Sequence, residues 1–493
     1  MHFIPQVKSF HKISDKTFKV TQISFSGSKV REEVKKDFSD FCRLKSTTDG
    51  GMLFENDPAL KNEEYKIVFT DGVFRISSNS SSGEIYALQT IKQVLFQTDF
   101  EPYEFEIFDS PDYKIRGFML DVGRYFFCVE DVKKIIRRMA LHKLNLLHWH
   151  LTEDQGWRIE IEAYPLLTEI GSKRACTNFN NKPHMGYYTK KDIAEIVDYA
   201  HRFGIKIMPE FDIPGHSRAA IAAYNTLTCY PRDLPVATHW GVKHDVLCVG
   251  KDSTMEFVHK VLDEFCEMFP DEYFHIGGDE VPKQRWNSCP HCQKRIKELG
   301  LKSADELQFW FMNSIKDYLK EKGKQTFMWS WDLENSNMLD EDLGFTLCGD
   351  MDNLKARPFI DTSTAAYYID LPYGSISLKD SVNHKPHKGN CLGVEGTLWS
   401  EYVPDMKKAD IMSFPRTGAI CETGWNGSAS YADFENKLDF YYSFLDKNNI
   451  GYALPVKANP NKLRAFFSRL WFEKRQLTWE GLTNLIWDKK YSK

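Results

Sequence analysis

A (β/α)8 TIM barrel preceded by a small α+β domain is the fold class that three observations in this 493-residue sequence predict. Apolar runs of strand length alternate with amphipathic segments of helix length from about residue 112 onward, which is the rhythm of a parallel sheet with crossover helices. Eight such runs can be counted, the number that closes a barrel. Acids and aromatic residues gather just after the runs, where barrel strands deliver their chemistry to one rim. Length alone admits two or three domains, but a barrel of this kind absorbs most of it.

Residues 1–111 read as the α+β unit. Tyr65-Lys66-Ile67-Val68-Phe69, the Asp71-Gly72 turn and Val73-Phe74-Arg75-Ile76 form a hairpin pattern. Gly83 to Phe96 reads as a helix with Ile85, Leu88, Ile91 and Leu95 on one face, and Asp109-Ser110-Pro111-Asp112 punctuates the boundary. The barrel, residues 112–455, takes strands at Ile115–Asp121, Asn145–Leu151, Ile205–Asp212, Tyr273–Asp279, Gln325–Trp331, Phe345–Asp350, Ala365–Asp370 and Cys391–Trp399. Helices are expected at Val129–His142, Lys191–Phe203, Ser253–Phe269 and Ser303–Lys322. Met351 to Thr364 makes a poor helix, which leaves the sixth and seventh strands without the usual connection. Residues 456–493 form a helical extension, rich in Phe and Trp between Leu463 and Tyr491, expected to pack on the barrel's outer surface.

The strand ends bring together Asp121 with Arg124, Asp154 with Trp157, Asp212 with His216, Trp331 with Asp332, Tyr368 with Asp370, and Trp399 with Glu401. An acidic, aromatic-walled pocket follows. At its centre, His275-Ile276-Gly277-Gly278-Asp279-Glu280-Val281 ends an apolar run at paired glycines and two carboxylates. Strand alternation would send Asp279 and Glu280 to opposite faces, but past Gly277 and Gly278 the backbone is free to turn, so both can converge on one substrate. A carboxylic acid held protonated near neutral pH can donate to a leaving oxygen, and a neighbouring carboxylate raises its pKa; Glu280 beside Asp279 fits that need. An isolated Asp-Glu pair also suits a helix N-terminus, but the two glycines and the rim position favour the pocket.

Composition excludes several classes of function. The chain is 42% hydrophobic and 27% charged with a formal net charge of -5, so no electrostatic footprint for nucleic acid or an anionic membrane is present. No run approaches the roughly 18 apolar residues of a membrane span, and the N-terminus lacks a signal-peptide pattern, so a cytoplasmic location is expected. Aromatics reach 14%, with 12 Trp and 22 Tyr, whose flat faces suit both core packing and sugar stacking. The 11 cysteines are odd in number and scattered, so free thiols are the default. Cys289-Pro290-His291-Cys292 has the spacing of a zinc-ligand pair, but no second CxxC exists, so a plain structural loop is expected there.

The block His275 to Val281 resembles the signature of family 20 glycoside hydrolases, the β-N-acetylhexosaminidases. Four further blocks agree in order: Arg116 to Phe126 resembles the family's first barrel strand, Leu147 to Trp157 its second, Pro209 to His216 its third and Leu398 to Tyr402 its eighth. The resemblance covers roughly residues 112 to 425, and the first hundred residues are similar to the small α/β domain that commonly precedes this barrel. It implies a retaining exo-enzyme that removes terminal β-linked GlcNAc or GalNAc from an oligosaccharide or glycoconjugate. Ordinary retaining glycosidases use an enzymic nucleophile, whereas this family is substrate-assisted, the 2-acetamido oxygen attacking the anomeric carbon to give an oxazolinium intermediate.

By the same resemblance Glu280 is the general acid and base, and Asp279 orients the acetamide. Tyr368 matches the tyrosine that binds the acetamide oxygen, and Trp331 and Trp399 match the walls of the acetamide pocket. Arg124 and Glu401 match the grip on O3 and O4, Asp370 matches the contact to O6, and Asp154 with His216 matches the pair that adjusts the acid. Neither metal nor organic cofactor is implied, nor nucleic acid or membrane as partner; a homodimer is left open. Two alternatives are a lacto-N-biosidase-like enzyme of the family and a metal-dependent barrel hydrolase using His148 and His150, which share one strand face. One departure stands out: Leu347-Cys348-Gly349-Asp350 lacks the tryptophan common at the sixth strand's end, which leaves one pocket wall unassigned.

Overall fold

Eight short apolar runs close on one another in the computed structural model, which describes residues 1–47, 50–177, 182–331, 336–349 and 352–472. The parallel strands are Ile115–Asp121, Leu146–His150, Lys206–Glu210, Tyr273–His275, Gln325–Trp329, Gly344–Leu347, Phe359–Asp361 and Cys391–Leu398, each paired with the next. The last pairs back on the first, with Leu398 opposite Leu120, and closes the barrel. Asp332 and Asp350, expected at two strand ends, lie outside the described residues.

The seventh strand is not Ala365–Asp370. Phe359, Ile360 and Asp361 pair with Phe345, Thr346 and Leu347 on one side and with Cys391, Gly393 and Val394 on the other. The true strand is three residues long, too short to register as an apolar run, while the longer aromatic run after it drew the assignment. Ala365 to Asp370 instead lies beyond the strand, touching the eighth strand through a single bridge from Tyr368 to Thr397.

Helices of the expected amphipathic kind connect the early strands: Val129–Leu141, Lys190–Arg202, Asp252–Met268 and Ala304–Glu321. Val132, Ile135, Ile136 and Met139 recur at helical spacing and are buried against the barrel. Thr189 and Asp192 form a capping box at the start of the second of these helices, and Ser303 caps the fourth. Between the fifth, sixth and seventh strands the described residues contain only the short 3-10 turns Ser336–Met338 and Asp352–Leu354.

A five-stranded sheet precedes the barrel, in the order Ser9–Thr17, Tyr103–Asp109, Tyr65–Thr70, Val73–Ser78, Met52–Asn56. The helix Ser81–Gln97 crosses it and is buried from Gly83 to Leu95, having the sheet on one side and barrel helices on the other. Polar anchors hold the two parts together. Lys143 Nζ lies 2.8 Å from Asp109 Oδ2 with both side chains fully buried, Trp425 Nε1 donates to Asp109 Oδ1, and Arg116 pairs with Glu63 at 2.7 Å. In the tail, residues 462–472 are helical but leave Leu463, Phe466, Phe467, Leu470 and Trp471 exposed, while Phe472 turns to the barrel mouth against Tyr402. The rest of that expected helix, from residue 473, lies outside the described residues.

The barrel interior alternates with period two, as pleated strands require. Ile115, Leu146, Met208, Tyr273, Phe327 and Ile360 fill the bottom layer. The layer above is polar: His148, His150 and His275 surround Glu210 at 3.0, 2.5 and 3.1 Å, Trp329 Nε1 donates to Glu210 at 2.7 Å, and His148 also reaches Glu395 at 3.0 Å. Burial alone would raise the Glu210 pKa, but His150 and His275 beside it hold it well below the usual carboxylate range. The same balance, with burial opposed by Glu395 and Glu210, lifts His148 to about 9. Gly117 makes room for this layer, since a Cβ there would meet the Glu395 carboxylate at 2.8 Å.

Removing Glu210 strands the imidazoles that converge on it. Glu210→Ala is expected to cost about 3–5 kcal/mol, as breaking a buried charge pair does, and Glu210→Gln less; urea unfolding of both variants measures the difference.

Candidate active site

The site is built above that polar layer from the ends of the strands. After the fourth strand Gly277 (φ +64°) and Gly278 (φ +95°) turn the chain, and Glu280 itself adopts a left-handed conformation (φ +48°). Glycine is required twice over at Gly277, because a Cβ would fall 1.7 Å from Asp212 Oδ1. The turn is pinned by Asp212 Oδ1 accepting from Gly278 N and by Gln308 Nε2 donating to Gly278 O at 2.7 Å. Both carboxylates then face one imidazole nitrogen: His216 Nε2 lies 3.7 Å from Asp279 Oδ2 and 3.5 Å from Glu280 Oε2.

The other ring nitrogen, His216 Nδ1, donates to Glu153 Oε1 at 2.8 Å. Burial would lower the His216 pKa, but Glu153 and Asp212 raise it well above the ordinary histidine value. Arg124 Nη2 pairs with Glu153 at 2.9 Å, Nη1 reaches Asp121 at 3.3 Å, Glu401 lies 3.7 Å away, and the guanidinium stacks 4.9 Å above the Trp399 ring. Trp331 Nε1 donates to Tyr368 Oη at 3.2 Å, and Cys348 Sγ lies 3.5 Å from the same hydroxyl.

These groups surround a cavity of about 270 Å³. Arg124, His216, Asp279, Glu280, Trp331, Tyr368, Asp370, Trp399 and Glu401 all line it. Nine of the ten residues expected from sequence therefore share one cavity. The tenth, Asp154, stands behind it, buried, accepting from Arg218 N and 3.7 Å from His216.

The acid pair is polarised in the opposite sense to the sequence expectation. Asp279 is raised to about 7, by burial first and then by Glu280 and Glu210. Glu280, whose side chain is 47% exposed, is lowered because His216 faces it. The neighbouring carboxylate does repel, but the repulsion falls on the buried partner and the imidazolium dominates the exposed one.

His148 and His150 do not open onto this cavity. Their ring nitrogens face Glu210 and Glu395, buried beneath the cavity, and Glu153 at its wall, so the shared strand face is taken up by carboxylate pairing.

The catalytic-domain model of glycosyl hydrolase family 20 matches residues 113–377 and 362–428. The chain belongs to that family. A β-hexosaminidase of Porphyromonas gingivalis is 36% identical over 454 residues, 85% of this chain, and the chain spans 58% of that relative's length. A β-hexosaminidase of Akkermansia muciniphila is 31% identical, with 79% of this chain and 85% of the relative covered. Among solved structures, the family 20 exo-β-N-acetylglucosaminidase of Vibrio harveyi in complex with N-acetylglucosamine superposes with a TM-score of 0.80 at 27% identity, covering 92% of this chain and 78% of that one.

Within this family 20 site, sequence reasoning missed Glu153, which ties Arg124 to His216. The signal was available: Thr152–Glu153 and Gly156–Trp157 form a tight hairpin whose turn is Asp154-Gln155. Glu153 and Gln155 reach the cavity from this hairpin, while Asp154 accepts from Arg218 N at the start of the helix Arg218–Ala223. Trp240 and Phe472 also line the cavity, from a long loop and from the tail, and no local pattern marks either. Where a sixth-strand tryptophan was lacking, Cys348 packs with Met119, Trp329 and Tyr368.

The double demand on Gly277 can be separated. Gly300 has the same backbone (φ +66°) with nothing within 4 Å of the point where a Cβ would stand, so Gly300→Ala should cost about 1–2 kcal/mol and leave activity intact. Gly277→Ala should cost more than that and lower kcat/KM by about 10²-fold through displacement of the acid pair, as denaturation and steady-state kinetics on the two variants would record.

Proposed function

We propose that the chain is a retaining exo-β-N-acetylhexosaminidase that removes terminal, non-reducing β-linked GlcNAc or GalNAc by substrate-assisted catalysis. The observation that carries this reading is that Asp279 and Glu280 leave one turn and flank a single imidazole nitrogen. Two roles are thereby offered to one edge of a sugar, the proton donor and the acetamide holder, which is the pairing that substrate assistance needs.

In this reading a sugar carrying a 2-acetamido group enters between Trp331 and Trp399. Asp279 Oδ1 is buried and makes no hydrogen bond among the described residues, so it is free to accept the acetamide N–H. The Tyr368 hydroxyl donates to the acetamide oxygen and points it at the anomeric carbon. That oxygen attacks, the glycosidic C–O bond breaks, and Glu280 delivers its proton to the departing oxygen. Water then opens the oxazolinium ring at the anomeric carbon, giving up a proton to Glu280 and restoring the acid with net retention. Asp279, as the anion, stabilises the positive charge on the ring nitrogen throughout.

Glu280 must carry a proton when the sugar is bound, although His216 lowers its pKa in the open site. A sugar seated over a side chain that is 47% exposed removes water from it and disfavours its anion. In this reading Arg124 and Glu401 hold O3 and O4, and Asp370, with a buried oxygen lacking a partner among the described residues, holds O6. A charge-assisted grip on O4 leaves no room for a further sugar there, which favours release of single residues over disaccharides.

The deciding assay pairs an aryl β-glycoside bearing a 2-acetamido group with its 2-hydroxyl counterpart, each with and without a thiazoline mimic of the intermediate. Cleavage of the acetamido compound alone, blocked by the thiazoline, is expected; equal cleavage of both would sink the mechanism. Glu280→Gln should lower kcat by about 10²–10⁴-fold on substrates with poor leaving groups, and Asp279→Asn by about 10²–10³-fold on all acetamido substrates.

The pH profile supplies an independent check. Asp279, raised to about 7 and facing Asp212, His216 and Glu280, must be ionised to assist. kcat/KM should therefore fall as pH drops through about 7 and recover above it, and Asp279→Asn should abolish that acid limb.

A further inference from the structure

Cys229, Cys248, Cys289 and Cys292 come from three separate stretches of chain and meet in one place. All four are buried, their relative exposures being 6% for Cys229 and 0% for the others. Sγ to Sγ distances are 3.8 Å for Cys229 and Cys292, 3.6 Å for Cys248 and Cys289, and 3.6 Å for Cys248 and Cys292, and all four sulfur atoms lie within 4.8 Å of one another. Four thiolates around zinc at about 2.3 Å form a tetrahedron whose edges are about 3.8 Å. A disulfide would bring two of the sulfurs to about 2.05 Å, and none of these pairs approaches that.

The lack of a second CxxC made a plain loop the expectation for Cys289 and Cys292. The structure supplies the missing ligands as single residues 19 positions apart instead, Cys229 after the turn Asn225–Leu227 and Cys248 on the returning limb of the same loop. Backbone pairing fixes both: Thr228 bridges Leu247, and Cys248 N donates to Leu227 O at 2.7 Å. Gly250 then passes so close to the start of the helix Pro290–Glu298 that a Cβ would fall 2.4 Å from Cys292 N.

We propose that these four cysteines hold one structural zinc ion as a tetrathiolate. Tetrahedral sulfur-only coordination selects zinc among the common divalent cations, and four protein ligands leave no open position for substrate or water. Binding converts the thiols to thiolates and releases their protons. The net negative charge of the cluster is met on two sides. Cys289 caps the helix Pro290–Glu298 and Cys292 is its third residue, so both sit at the positive end of its dipole, while Lys251, three residues after Cys248, bonds Thr226 O and Thr228 O beside it.

The ion would join two functional loops. The stretch between Cys229 and Cys248 contributes Trp240 and Gly241 to the cavity wall, and the stretch leading to Cys289 begins at Asp279 and Glu280. Trp286, between the acid pair and Cys289, donates its Nε1 to Leu247 O at 2.9 Å and ties the same two loops. The zinc site is thus a clamp behind the acid pair, removed from the chemistry.

Elemental analysis of the full chain, purified without chelator from zinc-supplemented culture, tests this directly. About one zinc per chain is expected, released in step with mercurial titration of four thiols, and replacement by Co²⁺ should give the intense visible absorption of tetrahedral thiolate coordination. Cys229→Ser with Cys248→Ser should lose the ion and lower the unfolding temperature, whereas Cys128→Ser, at an exposed position, should keep the full equivalent. Metal-free protein whose four thiols react freely, iron in place of zinc, or two disulfides found by mass spectrometry would each overturn the proposal. The zinc content and cobalt spectrum of the unaltered chain decide it even where the serine variants fail to fold.

Discussion

Glu210 has no exposed surface, and three imidazoles and an indole converge on it inside the barrel. A carboxylate that deep is tolerable only when every lone pair is met, and meeting them fixes the second, third, fourth and fifth strands relative to one another. His150 carries the constraint upward by reaching Glu153 at 3.3 Å, and Glu153 passes it to Arg124 and His216. The groups that touch the cavity are therefore oriented by a chain of charge that starts in the core. An apolar layer at this level would pack as well and would leave the rim unanchored.

That chain also explains why two adjacent carboxyls differ. Asp279 is largely buried in the cavity wall, while the Glu280 side chain is far more exposed, and one imidazole faces both. Burial acts on the first and the imidazolium on the second, so their proton affinities separate without any change in residue type. The left-handed turn at Gly277 and Gly278 is what permits one residue to stay buried and the next to emerge.

The fold was legible in the sequence wherever a strand was long enough to declare itself. Ile115–Asp121 and Cys391–Leu398 span seven and eight residues and read cleanly, whereas Phe359–Asp361 spans three and yielded its place to Ala365–Asp370. Residues of the site followed the same rule: those set by strand ends or by the glycine turn were visible, and Trp240 and Phe472 were not, because loop and tail reach the cavity only through tertiary packing. Glu153 was hidden by its neighbour, an equally acidic residue turned the other way. The paired cysteines were visible as a motif, but their partners sit singly in a loop, and nothing in spacing could bring Cys229 and Cys248 beside them.

The connections after the fifth and sixth strands contain, among the described residues, only the short 3-10 turns Ser336–Met338 and Asp352–Leu354. Arg124 and the acid pair lie on loops that lead into the helices Val129–Leu141 and Ala304–Glu321, whereas Trp331 enters a connection with little regular scaffold behind it. The backbone at Trp331 lies beyond the strand ladder, whereas that at Tyr368 is bridged to Thr397 of the eighth strand, so changes at Trp331 disturb the barrel less. A change in what the pocket admits is therefore borne most readily at the Trp331 end of the rim.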